Sequence, residues 1–185
     1  MKVQQTPLQD CFIIQDTVFT DDRGYFFESF NQQTFAKLTG LDVHFVQDNQ
    51  SKSSKGVLRG LHFQKGEHAQ AKLVRVLQGR VLDVAVDIRK GSPTYGKVFT
   101  LELSAESKKQ LLIPKGFAHG YSVLSQTAEV FYKCDEFYHK ECEGGIMYND
   151  AALNINWQIP ADKAIISEKD KRHPGLNNCI NNFSF

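Results

Sequence analysis

KLVRVLQGRVLDVAVDI, residues 72–88, decides the fold class. Lys72 to Leu77 and Arg80 to Ile88 are aliphatic, β-branched runs on either side of Gln78-Gly79, which reads as two strands joined by a hairpin turn. In the second run Leu82, Val84 and Val86 share one face, and Val81, Asp83, Ala85 and Asp87 share the other. That period of two belongs to a strand. Working outward, similar short runs appear at Tyr25 to Phe30, Val43 to Gln47, Val57 to Phe63, Val98 to Leu103, Leu111 to Ile113, Gly120 to Leu124 and Ala128 to Tyr132. Glycines and turn residues punctuate them at short intervals, as expected of an all-β sandwich or barrel of jelly-roll size. Only Gln32 to Leu38 reads as helix, with Phe35 and Leu38 on one side and Thr39-Gly40 as the stop. From about residue 161 the chain mixes Lys, Asp, His, Pro and Asn, which predicts a C-terminal tail of short helix and loops over the surface of a core spanning about residues 1–160.

Composition agrees. Fourteen Phe and six Tyr stand against one Trp, and Phe and Tyr favour strands. Within 185 residues, 22 Lys and Arg nearly balance 21 Asp and Glu, a net charge of +1 that makes no electrostatic case for nucleic acid. A content of 41% hydrophobic and 23% charged residues is that of a globular chain, one domain over residues 1–185. No apolar run approaches a membrane span and MKVQQTPLQDC at the start has no signal-peptide character, so the expectation is a cytoplasmic protein. Cys11, Cys134, Cys142 and Cys179 lie far apart with no CxxC spacing and read as reduced thiols.

Three segments put polar residues where strands call for apolar ones: 46–51 (VQDNQS), 56–64 (GVLRGLHFQ) and 114–120 (PKGFAHG). Polar groups inside a barrel are costly unless paired, so these mark a site. A single strand histidine such as His62 reads first as a core residue bonded to backbone, and Arg59 as the partner of a carboxylate. Lys72 changes that reading, because it shares a face with Val74 and Val76, and desolvating an ammonium is expensive. A His and a Lys on one cavity form a workable pair, one taking a proton and the other steadying the oxyanion that results. Tyr132 adds a phenol that can donate. A jelly-roll metal site would draw on His62, Glu67, His68 and His119, yet the His-x-His spacing such sites use is missing, so no metal ligands are assigned. Neither GxGxxG, a Walker loop nor GxSxG occurs.

Seven segments in order resemble the dTDP-4-dehydrorhamnose 3,5-epimerase family: 21–30 (DDRGYFFESF), 45–49 (FVQDN), 56–64, 71–76 (AKLVRV), 83–89 (DVAVDIR), 113–120 (IPKGFAHG) and 128–133 (AEVFYK). The likeness extends to about Asp170. It departs at Tyr148, where the family commonly has Trp, and at Gln158, where Pro usually follows Trp157. The resemblance implies a cupin-like, cofactor-independent, homodimeric enzyme that epimerises dTDP-4-dehydro-6-deoxy-D-glucose at C3 and C5, in dTDP-L-rhamnose biosynthesis. By it His62 is the general base, Asp170 the carboxylate that orients and charges it, Lys72 the cation near the keto oxygen and Tyr132 the acid on the opposite face. It further implies that Arg23, Glu28, Gln47, Asn49, Arg59, His119, Glu143 and Lys169 hold nucleotide and sugar, that Tyr138 stacks on thymine, and that Asp48, inside the same motif, joins them. Two other readings stand beside it: a non-catalytic sugar-nucleotide-binding cupin, and a mono-epimerase or ketoisomerase on the same scaffold. The first lacks a need for an acid and a base on opposing faces. The second differs only in ring placement and is separated by product analysis.

Overall fold

In the computed structural model, which describes residues 1–185, the apolar runs build two sheets around a shared core. In chain order the strands are β1 Lys2–Gln5, β2 Phe12–Gln15, β3 Phe19–Asp21, β4 Gly24–Phe26, β5 Gln47–Ser54, β6 Val57–Gln64 and β7 Lys72–Gln78. They continue as β8 Arg80–Asp87, β9 Val98–Ser104, β10 Lys109–Ile113, β11 Phe117–Val123, β12 Thr127–Cys134, β13 Glu143–Gly145 and β14 Ile165–Ile166. One helix, α1 Gln32–Thr39, lies between β4 and β5. The first sheet runs β1-β2-β10-β7-β12-β5, the second β13-β6-β11-β8-β9, with β14 added parallel to β6. No helix is long and apolar enough to cross a membrane.

Alternation sorts the side chains into three apolar layers. Val74, Val76, Leu111 and Val130 of the first sheet meet Val81, Ala85, Leu103 and Val123 of the second in the central core. The opposite face of β8, with Leu82, Val84 and Val86, packs under Ile146, Leu153, Trp157 and Leu176 from the C-terminal third. From Val81 onward both faces of β8 are therefore buried, and the only polar residues in that stretch are Asp83 and Asp87, each paired. On the outside of the first sheet, Ile14, Leu73 and Leu112 hold Phe35 of α1. The helix begins where Asn31 Oδ1 accepts the Thr34 N–H at 3.0 Å and ends at Gly40 in the left-handed region, φ 72°. Phe35 is fully buried, whereas Leu38 is 43% exposed, so one side chain anchors α1.

Three sequence expectations shift. Gln78-Gly79 is not a hairpin: β7 and β8 belong to different sheets, and the chain crosses between layers there. A single residue, Gly79, separates the strands, too few for a two-residue turn. Its φ is 75°, and a Cβ would stand 2.1 Å from the Thr127 carbonyl oxygen. The strand expected at 43–47 begins at Gln47 instead, and Phe45 packs edge-on against Phe30 and Phe35 beneath α1. Of 25–30 only Tyr25 and Phe26 are extended, in a β3–β4 hairpin that joins neither large sheet. The tail forms short 3-10 turns and loops as expected, plus β14.

One buried ion network ties the loops at one end. Arg89 donates to Asp87 from Nε at 3.0 Å and Nη2 at 2.8 Å, and to Asp10 from Nη1 at 2.9 Å. Ser92 and Thr94 hydroxyls add 2.6 Å bonds to Asp87, and Phe117 and Phe185 flank the guanidinium. Burial opposes the Asp87 charge, but the bonds from Arg89, Ser92 and Thr94 hold its carboxyl below the ordinary 3.8. Removing Arg89 strands that carboxylate. Arg89→Ala is expected to lower unfolding free energy by about 3–5 kcal/mol, read by urea denaturation at neutral pH. Because the folded Asp87 titrates below its unfolded value, the stability it contributes is complete above pH 3.8 and is lost only as pH falls through the lower folded value. An unchanged urea midpoint would refute this role.

Candidate active site

At one end of the sandwich the two sheets part around a cavity of about 240 Å³. Gln47 and Asn49 of β5, Lys72 of β7 and Tyr132 of β12 form the wall from the first sheet. His62, Phe63 and Gln64 of β6 and Glu143 of β13 form the wall from the second, with Gln70 and Tyr138 on adjoining loops. Register places them: Tyr132 lies opposite Asn49 on one side and Val74 on the other, and Lys72 lies opposite Cys134.

His62 is fixed from outside its sheet. Its Nε2 donates to Asp170 Oδ1 at 2.8 Å, and Asp170 Oδ2 accepts the Gly60 N–H at 3.2 Å. The Asp170 N–H in turn donates to Ser167 Oγ at 3.1 Å. Burial would raise the Asp170 carboxyl, but the His62 bond and charge, the Gly60 N–H and Ser167 outweigh it and hold it below its ordinary value. With the carboxylate on Nε2, the proton sits there and Nδ1 is left as the basic nitrogen.

The other wall supplies a cation and a phenol. Burial pushes the Lys72 ammonium down, opposed by charge at Cys134, Asp83 and Glu143. Its Nζ lies 5.8 Å from the Tyr132 ring centroid. Burial, reinforced by Cys134 and Tyr121, pushes the Tyr132 phenol up to about 12, so it keeps its proton at neutral pH. Tyr138 Oη donates to Glu143 Oε2 at 2.9 Å, and Lys169 pairs with the same oxygen, keeping Glu143 ionised against its burial. Gln47 donates to Asn49 at 3.1 Å and accepts the Tyr138 N–H at 3.1 Å, which ties the aromatic loop to the wall.

Of the expected residues, His62, Asp170, Lys72, Tyr132, Gln47, Asn49, Tyr138, Glu143 and Lys169 meet at this cavity or in direct contact with its lining. The strand period turns Asp48 outward, where it pairs with Lys133 at 2.9 Å. Arg59 is exposed and donates from Nε to Ser53 at 3.1 Å. His119, opposite His62 across β6 and β11, is buried against Asp83 at 3.0 Å rather than on the cavity surface. Arg23 and Glu28 are exposed on the β3–β4 hairpin and the segment after it, off this cavity, and Arg23 is bound to Asp21. Glu67 and His68 sit on a surface 3-10 turn, where the His68 ring stacks on His139, so the cupin-type set does not converge. Asp83, Gln70 and Cys134 escaped the sequence reading, and Gln64, the last residue of the marked segment 56–64, lines the cavity without having been given a role. Asp83 had a signal, a carboxylate on the inward face of an apolar strand; Gln70 and Cys134 had none.

A family model described as dTDP-4-dehydrorhamnose 3,5-epimerase matches residues 5–178. A protein of that name from Salmonella typhimurium is 53% identical over 183 residues, 97% of this chain and 98% of its own. A crystal structure of the enzyme of that name from Elizabethkingia anophelis superposes with a TM-score of 0.94 at 60% identity, covering 96% of this chain and 97% of its own. A Legionella pneumophila structure, a dTDP-6-deoxy-D-glucose-3,5-epimerase in complex with dTDP-4-keto-L-rhamnose, gives 0.92 at 47% identity, with 96% and 93% covered.

The desolvated Lys72 costs stability at neutral pH, since a folded value depressed below the unfolded 10.5 penalises the charged form wherever the unfolded chain is protonated. Lys72→Met keeps the length and removes the charge. It is expected to raise the unfolding free energy by about 1–2 kcal/mol between pH 6 and 9, read by urea denaturation. A variant less stable than the parent would show that Lys72 is well compensated.

Proposed function

The chain belongs to the dTDP-4-dehydrorhamnose 3,5-epimerase family, and from that membership we propose that it inverts dTDP-4-dehydro-6-deoxy-D-glucose at C3 and C5, giving dTDP-4-dehydro-L-rhamnose for deoxysugar biosynthesis. The observation that carries the reading is the opposition of His62 on one wall to Lys72 and Tyr132 on the other. Hydrogens on C3 and C5 are acidified by the ketone between them. His62, with Asp170 stabilising the imidazolium, removes one through Nδ1. The electron pair moves onto the C4 oxygen as an enolate, and Lys72, desolvated on the facing wall, meets that charge. Tyr132 returns a proton from the far side and the centre inverts. Protons are exchanged with no net oxidation or reduction of the sugar, so the reaction calls for no redox cofactor.

Gln47, Asn49, Glu143, Lys169 and Tyr138 hold the nucleotide, Tyr138 by offering a half-exposed ring to thymine. Arg23 and Glu28 act from a second copy of the chain. Support comes from the β3–β4 hairpin, which exposes Phe19, Tyr25 and Phe26 at 63%, 60% and 70% and carries its arginine away from its own cavity. Seated on a partner, that arginine can meet the diphosphate with paired hydrogen bonds. We assign the homodimer to the cytoplasm, consistent with four unpaired cysteines.

Incubation with the 4-keto sugar nucleotide in D2O, followed by NMR, tests the double inversion: deuterium is expected at both C3 and C5, and label at one carbon alone identifies a mono-epimerase. His62→Ala should abolish exchange at both carbons while nucleotide binding survives. Tyr132→Phe should lower epimerisation roughly 10²–10⁴-fold while exchange persists, because His62 can return a deuteron to the face it came from. If exchange and epimerisation fall in parallel, Tyr132 positions the sugar rather than protonating it. Sedimentation analysis should give a dimer, which Phe26→Asp weakens; a monomeric parent would remove the partner's arginine from the site.

A further inference from the structure

We propose that His62, Asp170 and His173 form a binding site for a divalent transition-metal ion such as zinc, and that an ion there switches the enzyme off. The inhibitory half rests on His62 being the base. Nitrogens of the two rings and one Asp170 oxygen all lie within 4.8 Å of one another. Asp170 Oδ1 is 2.8 Å from His62 Nε2 and 3.7 Å from His173 Nε2. A tetrahedral ion with bonds of about 2.0–2.1 Å spaces its ligand atoms at roughly 3.3 Å, between these two separations. Two imidazoles and a carboxylate suit zinc and leave its fourth position open.

A second observation points the same way. His173 Nε2 is buried and has no hydrogen-bond partner, a costly condition that coordination would relieve. Nor is the ring there by accident of a loose tail. A Cβ on Gly145 would lie 2.5 Å from His173 Cε1 and Nε2, so the ring lies flat on a glycine, and Gly145 is the residue β13 places opposite His62. The Met147 N–H donates to the Pro174 carbonyl at 2.8 Å and pins the next residue. His173 also borders a second cavity, of about 630 Å³, beyond β13.

The ion would act through the tautomer of His62. At present Nε2 carries the proton and Nδ1 the lone pair. A metal on Nε2 requires that nitrogen bare, so the proton of the neutral ring passes through solvent to Nδ1. The nitrogen that accepts the sugar's proton becomes a donor. The base is lost with no change in the ring's net charge.

Cobalt(II) chloride added to the EDTA-treated full-length chain should give a visible d–d absorption of four-coordinate strength that saturates at one ion per chain and is displaced by zinc chloride. His173→Phe keeps a flat ring on Gly145 without a nitrogen, and His173→Gln serves if circular dichroism shows the first misfolded. Either should abolish the band and raise the zinc needed for half-inhibition of substrate deuteration by more than the roughly 10–100-fold that losing an outer partner of a metal ligand costs. His68→Ala, which removes one ring of the stacked surface pair, should behave as the parent. EDTA should restore activity to the zinc-treated parent. No saturable band, a band that survives in both His173 variants, or equal zinc sensitivity in parent and variants overturns the proposal. The cobalt band is read without substrate, so a chain that binds cobalt but inverts no sugar refutes the proposed reaction and leaves the metal site standing.

Discussion

A single carboxylate, Asp170, connects the functional end of the molecule. It is buried, and it stays ionised because His62, the Gly60 N–H and Ser167 together exceed the cost of its burial. Two things follow from that one bond set. The histidine ring is held in one tautomer and one orientation, and the C-terminal segment is fastened to β6, where β14 runs parallel with Ile165 opposite Val57. The tail therefore belongs to the site rather than to the wrapping.

The facing wall is organised by a different balance. A sandwich core gains its stability from residues such as Val74 and Val130, yet the same inward rows carry Lys72, Tyr132, Asp83 and His119. Each is either paired within the core or placed on the cavity, and Lys72 gives up stability for its position. Local rules of burial are broken where charge has to be stabilised and kept elsewhere, as at Asp87, whose every near neighbour satisfies it.

Alternation made strands such as β7, β8 and β12 and the inward face of Lys72 legible, because period two is a local property of a chain; β1, β2 and the polar β5 carry no such signal, and Asp170 was reached only through the family resemblance. Which strand lies beside which is not local. β7 and β8 carry perfect strand patterns, but their partners are β10, β12, β11 and β9, and the one-residue link at Gly79 reads as a turn until the layers are known. The motif around Gln47 located a site but not its direction; only the register of β5 separates Gln47 and Asn49 from Asp48. Arg23 shows a further boundary: it is exposed, bound to Asp21 and turned away from its own chain's cavity, and no local pattern reveals that direction. His173 carried no signal at all, for its place depends on the absence of a side chain at Gly145.

The crossing at Gly79 also governs how the chain can assemble. Among the large sheets only β1–β2 and β8–β9 pair strands adjacent in sequence; β5 waits for β12, β6 for β11 and β13, and β7 for β10 and β12. A topology dominated by distant pairings folds slowly, since loop closure precedes the contacts that compensate it. During synthesis β5, β6 and β7 must emerge before their partners β12, β11 and β10, which lie beyond residue 108. The edges of those early strands are open to neighbouring chains in that interval, which is when the chain is most exposed to edge-to-edge association.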